Sequence, residues 1–285
     1  MKWFDYAAPR TLPDALSAYA ANPGARLLAG GTDLLVQMRS GRKETDQIID
    51  LKRVPELNEL AFDAIHGLTL GSAVPCRRIY EDKEVSRAFP ALAEVAGLIG
   101  GTQIQSRASI GGNLCNAAPS ADSIPLLIAL QTTCRIAGPQ GERTIAVEDF
   151  CTAPGKNVLG TGELLISLQI PPLPAQSAAH YIRFIPRNEM DIAVVGAGVC
   201  VEFSGGTIRS ARVALASVAP TPIFVREAGE ALANGESVQR AAELAGAAAR
   251  PINDMRGTMD YRRHLCEVLT RRALEAAIAR AKESH

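Results

Sequence analysis

Arg26-Leu27-Leu28-Ala29-Gly30-Gly31-Thr32-Asp33-Leu34-Leu35 is the stretch from which the fold is read. An apolar run of strand character meets two adjacent glycines, and a Thr-Asp pair then opens a segment whose apolar residues return with helical spacing. The order is strand, tight turn, helix start. Adjacent glycines let the backbone take φ > 0 and let a ligand approach the main chain with no Cβ in the way. Thr32 is expected as the N-cap of a helix over 33–40, with Gly41 as its stop. Unpaired N–H groups and the positive end of a helix dipole favour an anion at such a turn, and the natural guest is a phosphate or pyrophosphate. Alone, this is an ordinary connection between a strand and a helix. The chain carries a second one, Ser109-Ile110-Gly111-Gly112-Asn113-Leu114-Cys115-Asn116, followed by residues 117–122 and an apolar helix candidate over 123–130. Two Gly-Gly turns, each ahead of a helix, suggest two anchors for one extended ligand.

Outward from these turns, a helix over 13–21 is expected before the first, with Thr11 or Leu12 at its cap and Asn22-Pro23-Gly24 at its end. Strands are expected over 47–51, 68–72, 144–147 and 163–171, and helices over 75–86 and 90–99. The second of these helices bears an apolar stripe of Ala91, Leu92, Val95, Ala96 and Ile99 that reads as core. Ile99 is set apart because it stands at the mouth of the Gly100-Gly101 break, just before the second turn. Pro171-Pro172-Leu173-Pro174 interrupts the pattern and marks a boundary. Domains are therefore expected over 1–174 and 175–285, the first divided near residue 55.

Beyond the prolines the apolar period is near two, over 178–184, 192–203 and 207–217, with Ser204-Gly205-Gly206 as a hairpin turn. An antiparallel sheet is implied, in which Gly196-Ala197-Gly198 marks close packing. Helices follow over 224–233, 238–249 and 261–282. The last carries Arg262, Arg263, Arg271, Arg272, Arg280 and Lys282, read as a solvated or subunit-facing surface.

Thirty basic and thirty acidic residues give zero net charge, so no global field draws the 285-residue chain to nucleic acid or an anionic membrane. A composition of 47% hydrophobic and 21% charged residues is that of a packed globular protein. No apolar run approaches the roughly 20 residues needed to span a bilayer, and Met1-Lys2-Trp3-Phe4-Asp5-Tyr6 lacks the pattern of a signal peptide. A cytoplasmic location is expected. Cysteines 76, 115, 134, 151, 200 and 266 form no C-x-x-C motif and read as reduced thiols, and with histidines equally dispersed no metal site is legible. There is no G-x-S-x-G elbow, no Walker lysine after a glycine loop and no G-x-G-x-x-G fingerprint. No catalytic side chain is assigned, and any chemistry rests on a cofactor.

Ala29-Gly30-Gly31-Thr32-Asp33-Leu34, Ser109-Ile110-Gly111-Gly112-Asn113 and Asp122 together resemble the two FAD loops of the flavoprotein (medium) subunits of molybdenum hydroxylases, the xanthine dehydrogenase and carbon monoxide dehydrogenase group. The similarity runs almost end to end, through Glu163-Leu164-Leu165, Tyr181-Ile182-Arg183, Arg187, Asp191-Ile192-Ala193, Tyr261-Arg262 and Arg271-Arg272-Ala273-Leu274. The resemblance implies an α+β fold: a two-subdomain FAD-binding domain of the PCMH type, then a C-terminal domain of antiparallel sheet plus helices, with FAD extended between them. It implies that Ala29, Gly30, Gly31, Thr32 and Asp33 hold the pyrophosphate through main-chain amides. Ser109, Gly111, Gly112 and Asn113 line the second side, with Asn116, Ile99 and Leu165 close by, and Asp122 accepts hydrogen bonds from a ligand hydroxyl or ring. Arg183 stands where the family commonly has lysine near the flavin, so the charge is kept in a planar group. Ser109 replaces the threonine of many relatives and keeps the hydroxyl. The four-cysteine insertion of the hydroxybenzoyl-coenzyme A reductases is missing, which disfavours that branch.

The route implied by the family runs from a molybdenum-pterin centre in a large subunit, through [2Fe-2S] clusters in a small subunit, to FAD in this chain and an external acceptor. The assembly implied is a dimer of heterotrimers. The alternatives are a self-sufficient FAD oxidoreductase and a flavin-free assembly scaffold. Simpler readings of single residues also stand: Asp33 and Asp122 as helix caps, Arg187 and Asp191 as an ion pair, and Cys115 as a small core filler.

Overall fold

The strongest apolar run, over 163–171, becomes the central strand of a sheet whose two faces carry two different cores. In the computed structural model, residues 2–283 are described; Met1, Ser284 and His285, at the ends of the two expected domains, lie outside the described residues.

The first subdomain is a three-stranded parallel sheet ordered β1-β3-β2, from Asp5–Ala7 (β1), Arg26–Leu28 (β2) and Gln47–Asp50 (β3). Helices Leu12–Ala21 (α1) and Leu34–Arg39 (α2) connect them. Thr11 caps α1, its hydroxyl accepting from Asp14 N at 3.2 Å, as one of the two expected caps.

The second subdomain is a five-stranded antiparallel sheet ordered β4-β5-β10-β6-β7. It opens with Leu60–Asp63 (β4) and Gly67–Gly71 (β5), then a helical run: Cys76–Glu81 (α3), Lys83–Ala88 (α4), Pro90–Ala96 (α5), Thr102–Gln105 (α6), Ile110–Asn116 (α7) and Ser123–Ala129 (α8). Thr133–Gly138 (β6), Gly141–Ala146 (β7), the pair Cys151–Ala153 (β8) and Lys156–Asn157 (β9), and Leu164–Ile170 (β10) complete it. The single helix expected over 75–86 is two helices. Asp82 leaves the helical conformation at φ −75°, ψ 118°, and its carboxylate accepts from Glu84 N and Val85 N at 3.0 Å, so it caps the second.

Because a different core covers each face of β10, neither face meets water, which is why its sequence is continuously apolar rather than alternating. Leu164 and Ile166 face the core of the first subdomain with Ala15, Ile49 and Leu57. Leu165, Leu168 and Ile170 face the opposite core with Leu92, Ile110 and Leu114, the change of phase being absorbed by a register shift between Leu165 and Ser167. Each such side chain, fully buried, contributes ~1.5–3 kcal/mol of transfer free energy. One strand thus holds the first subdomain against the helices of the second.

The C-terminal sheet is antiparallel, ordered β11-β12-β13-β14, from Ser177–Phe184 (β11), Val195–Ser204 (β12), Thr207–Ala216 (β13) and Ile223–Phe224 (β14). Gly205 (φ 59°) and Gly206 (φ 84°) form the expected two-residue turn between Ser204 and Thr207. Helices Arg226–Ala233 (α9), Val238–Ala248 (α10) and Met259–Glu283 (α11) belong to the same core. The other side of the sheet packs on α8: a Cβ at Gly198 would stand 2.6 Å from Leu126 N, as expected for close packing.

The basic surface expected on α11 needs correcting at Arg262. That guanidinium is buried, donates to Val194 O at 2.8 Å and Ser217 O at 3.1 Å, and pairs with Asp254 at 2.7 Å, so it ties the helix to the sheet. Arg280 reaches across to Glu94 on α5 at 2.7 Å. Among the described residues no helix is long and apolar enough to cross a membrane, and no cluster of three or more metal-ligating side chains is present.

Candidate functional site

The two glycine pairs meet across one cleft of about 300 Å³ between the first and second subdomains. Ala29, Gly30, Gly31, Thr32 and Asp33 form one wall; Ile99, Ser109, Gly111, Gly112, Asn113, Asn116 and Leu165 stand on the other. The lining runs from Tyr19 to Leu165, so this cleft is a seam between the two subdomains.

On the first wall Gly31 takes φ 79°, a conformation that side chains strain against. Gly30 is required for a different reason. A Cβ there would lie 2.1 Å from Arg107 O, because the backbone of the second wall approaches it directly. The helix that follows is capped by position 33 rather than by Thr32, and the Asp33 side chain makes no capping bond. Helical bonding reaches back to the turn, Leu35 N donating to Gly31 O at 3.0 Å. The residues whose amides precede that bond, 29–34, belong to the cleft wall.

The second wall departs from expectation. Ser109 is itself an N-cap, its buried hydroxyl accepting from Gly112 N at 3.0 Å, and the residues expected as a loop are the helix α7. Gly111 lies in its first turn, where a Cβ would meet Ser72 Cα at 2.5 Å; a Cβ at Gly112 would meet only the Ser109 hydroxyl at 2.9 Å. Ser123, fully buried, donates to Asn113 Oδ1 at 2.7 Å. That bond engages the Asn113 oxygen and leaves its NH₂ donors for the cleft. Asn157 donates to Cys115 O at 2.8 Å and accepts from Leu159 N at 3.0 Å, holding the end of the wall.

Arg26 and Lys43 add positive charge to the first wall. Burial, then repulsion from Arg26, lowers the Lys43 pKa, while Asp33 opposes the shift. Burial pushes the Asp33 carboxyl up, with Lys43 pulling it down. Glu163, on the second wall, is pulled down to about 2, chiefly by its bidentate bonds to Arg143. The Cys115 thiol is pushed up to about 12 by burial, so it is no thiolate nucleophile and fits the filler reading.

Asp122 and Arg183 do not line the cleft. The Asp122 carboxylate, 9% exposed, accepts from Tyr181 Oη at 2.7 Å and Arg183 at 2.5 Å. Burial raises its pKa, with Arg183 and Tyr181 opposing. Each oxygen thus holds one protein donor, and the group ties the start of α8 to β11. Neither Asp122 nor Asp33 caps its helix through its side chain. Arg187 and Asp191 do pair, at 3.2 Å.

Sequence reasoning missed Tyr19, Gln37, Lys43 and Leu159 as cleft residues. Gln37 carried a usable signal, since four positions after Asp33 is the same face of a helix. Lys43 and Leu159 carried none.

A narrow seam between two glycine-lined helix starts, flanked by cations, is the architecture of a protein that holds an extended phosphate-containing cofactor. The family described as the FAD binding domain in molybdopterin dehydrogenase matches residues 2–173, and the CO dehydrogenase flavoprotein C-terminal domain matches residues 180–277. The chain is 32% identical over 287 residues to a xanthine dehydrogenase FAD-binding subunit of Escherichia coli O157:H7, covering 98% of each. It is 31% identical to the carbon monoxide dehydrogenase medium chain of Hydrogenophaga pseudoflava, covering 97% of this chain and 98% of that one. A solved carbon monoxide dehydrogenase from the same organism superposes with a TM-score of 0.94 at 31% identity, over 98% of both chains. Quinoline 2-oxidoreductase from Pseudomonas putida 86 superposes with a TM-score of 0.90 at 29% identity, over 99% of both. The chain belongs to the FAD-binding medium subunits of the molybdenum hydroxylases, and is an oxidoreductase subunit.

The residues present suit FAD. The main chain of residues 29–34 lies along one wall, Arg26 and Lys43 can balance pyrophosphate charge, and Gln37, a lining residue, has a buried Oε1 without a partner.

Proposed function

We propose that this chain is the electron-transfer subunit of a molybdenum hydroxylase complex, linking [2Fe-2S] clusters of a small subunit to an external acceptor. A large molybdenum-pterin subunit and the small iron-sulfur subunit are its partners, in a dimer of heterotrimers in the cytoplasm. The observation that carries the reading is the convergence of both glycine pairs on a single cleft. FAD, when bound, supplies the redox chemistry, and the protein's contribution is to hold and orient it.

In this reading the amides of residues 29–33 bind the pyrophosphate, and Arg26 and Lys43 offset its charge. Ser109 fixes the first turn of α7 so that the Gly112 face stays open to the ligand. Ser123 sets the Asn113 amide with its donors toward the cleft, while Gly111, Asn116, Ile99 and Leu165 complete the wall. Asp122 and Arg183 act at one remove, fixing the C-terminal sheet against α8. The domains are assigned as 1–174, with subdomains meeting near residue 55, and 175–285.

The test is a visible spectrum of the purified full chain, with chromatography of acid-released flavin, repeated after co-expression with the two partner subunits. FAD without iron–sulfur bands in the chain alone, and both signals in the complex, are expected. A chain that takes up no FAD even in the complex, or that never co-purifies with the partners, overturns the reading.

A further inference from the structure

We infer that Gln37 is a recognition residue of the cofactor cleft, whose side-chain oxygen is completed by a hydroxyl or amino donor of the bound nucleotide. The inference rests on the FAD reading above.

Gln37 on α2 and Asn116 on α7 come from opposite walls, and Gln37 Nε2 donates to Asn116 Oδ1 at 3.1 Å across the seam. The other half of the same amide, Oε1, is sealed from solvent and has no hydrogen-bond partner. A buried carbonyl oxygen without a donor is unfavourable, and most such atoms in folded proteins are paired. The bridge is therefore half made, and its missing half is a donor at the cleft wall.

The backbone of Gln37 is fixed. Gln37 N donates to Asp33 O at 2.9 Å, and Gln37 O accepts from Lys43 N at 3.2 Å and Ser40 Oγ at 3.1 Å, which fixes the backbone from which the side chain projects. On the facing helix, the side-chain oxygens of Asn113 and Asn116 are engaged by Ser123 and by Gln37 itself.

The pyrophosphate is not the missing partner. Ionised phosphate oxygens only accept, and so does the Gln37 oxygen. The complementary group must lie off the phosphates, among the hydroxyls of the sugar chains or the exocyclic amino group of the adenine. Gln37 thus offers a side-chain acceptor to a part of the cofactor other than the phosphates that the amides of the glycine loops hold.

The experiment uses the full chain freed of flavin, comparing wild type with Gln37→Leu and Gln37→Met in FAD titration and in thermal melting without ligand. Both variants should bind FAD about tenfold more weakly, the loss of one neutral hydrogen bond with its partner left unpaired. Neither should melt lower without ligand, because each removes an unpartnered oxygen together with one seam-spanning bond. Competition by ADP then assigns the donor. An equal loss of ADP affinity places it on the adenosine half, and an unchanged ADP affinity places it on the flavin-ribityl half. Unchanged FAD affinity in both variants overturns the inference. So does a weakening matched by a fall in melting temperature, which would make Gln37 a structural bridge only. Wild-type chain that binds no FAD brings down the underlying reading instead.

Discussion

Gly30-Gly31 and Gly111-Gly112 are the same dipeptide on opposite walls of one cleft, built by opposite means. The first pair turns the chain, with Gly31 at φ 79°. The second does not turn it at all and lies in the opening turn of α7. Yet the labour divides alike within each pair. Gly30 and Gly111 are small because protein backbone passes within 2.1 and 2.5 Å of where a Cβ would be, so they lock each wall to its neighbour. In the proposed reading Gly31 and Gly112 shape what faces the ligand, one through backbone conformation and the other by leaving its face open. A glycine pair in sequence does not say which of its members serves packing and which serves binding.

The comparison breaks most visibly at Gly30. Gly30→Val sets a branched side chain against Arg107 O, forces the two walls apart and should cost about 1–3 kcal/mol of stability as overpacking. FAD binding should weaken at least about a hundredfold, since a displacement of the loop removes several amide contacts at once. Titration and melting measured together check this. Lost binding at unchanged melting temperature would place Gly30 on the ligand side of the division, where its sequence alone put it.

A middle-sized effect is expected at Glu163, whose ion pair with Arg143 and bond from Gly160 N at 2.6 Å hold the far end of the second wall. The pair lies near solvent, so Glu163→Gln should cost no more than about 1 kcal/mol at neutral pH. The sign follows from the depressed pKa. The carboxylate's contribution is present above its unfolded value of 4.5 and is lost as pH falls through about 2. Wild type and variant should therefore converge in urea melts as pH drops across that window. A difference that persists at the acid end would show that the hydrogen bonds to a neutral carboxyl, rather than its charge, hold the loop.

Gly112→Ala should have the smallest effect on the protein itself. The site is helical with ordinary φ, so the gain of about 0.5–1 kcal/mol in helix propensity offsets the crowding of the Ser109 hydroxyl. Apo stability should stay within a few tenths of a kcal/mol while FAD binding weakens. A large fall in apo stability would mean that both glycines of the second pair serve packing, and the parallel between the walls would fail.

Local physics made much of this protein legible from its sequence. The apolar run at β10, the Gly205-Gly206 turn, the alternation of β11 to β13 and the close packing at Gly198 all express residue chemistry within a few positions. They appear where that chemistry places them. The glycine loops and the family they resemble were legible for the same reason: an amide-lined turn is a local object. Tertiary structure alone decided the rest. Gly111 is pressed against Ser72, and Arg262 is buried because Asp254 and two strand-end carbonyls accept its donors. Asp122 is spent on Tyr181 and Arg183, 59 and 61 residues away, and Gln37 finds Asn116 at a separation of 79. Partners so distant leave no period or spacing in the chain. Only the packing of both subdomains on the two faces of one strand brings the walls of the cleft, and those side chains, together.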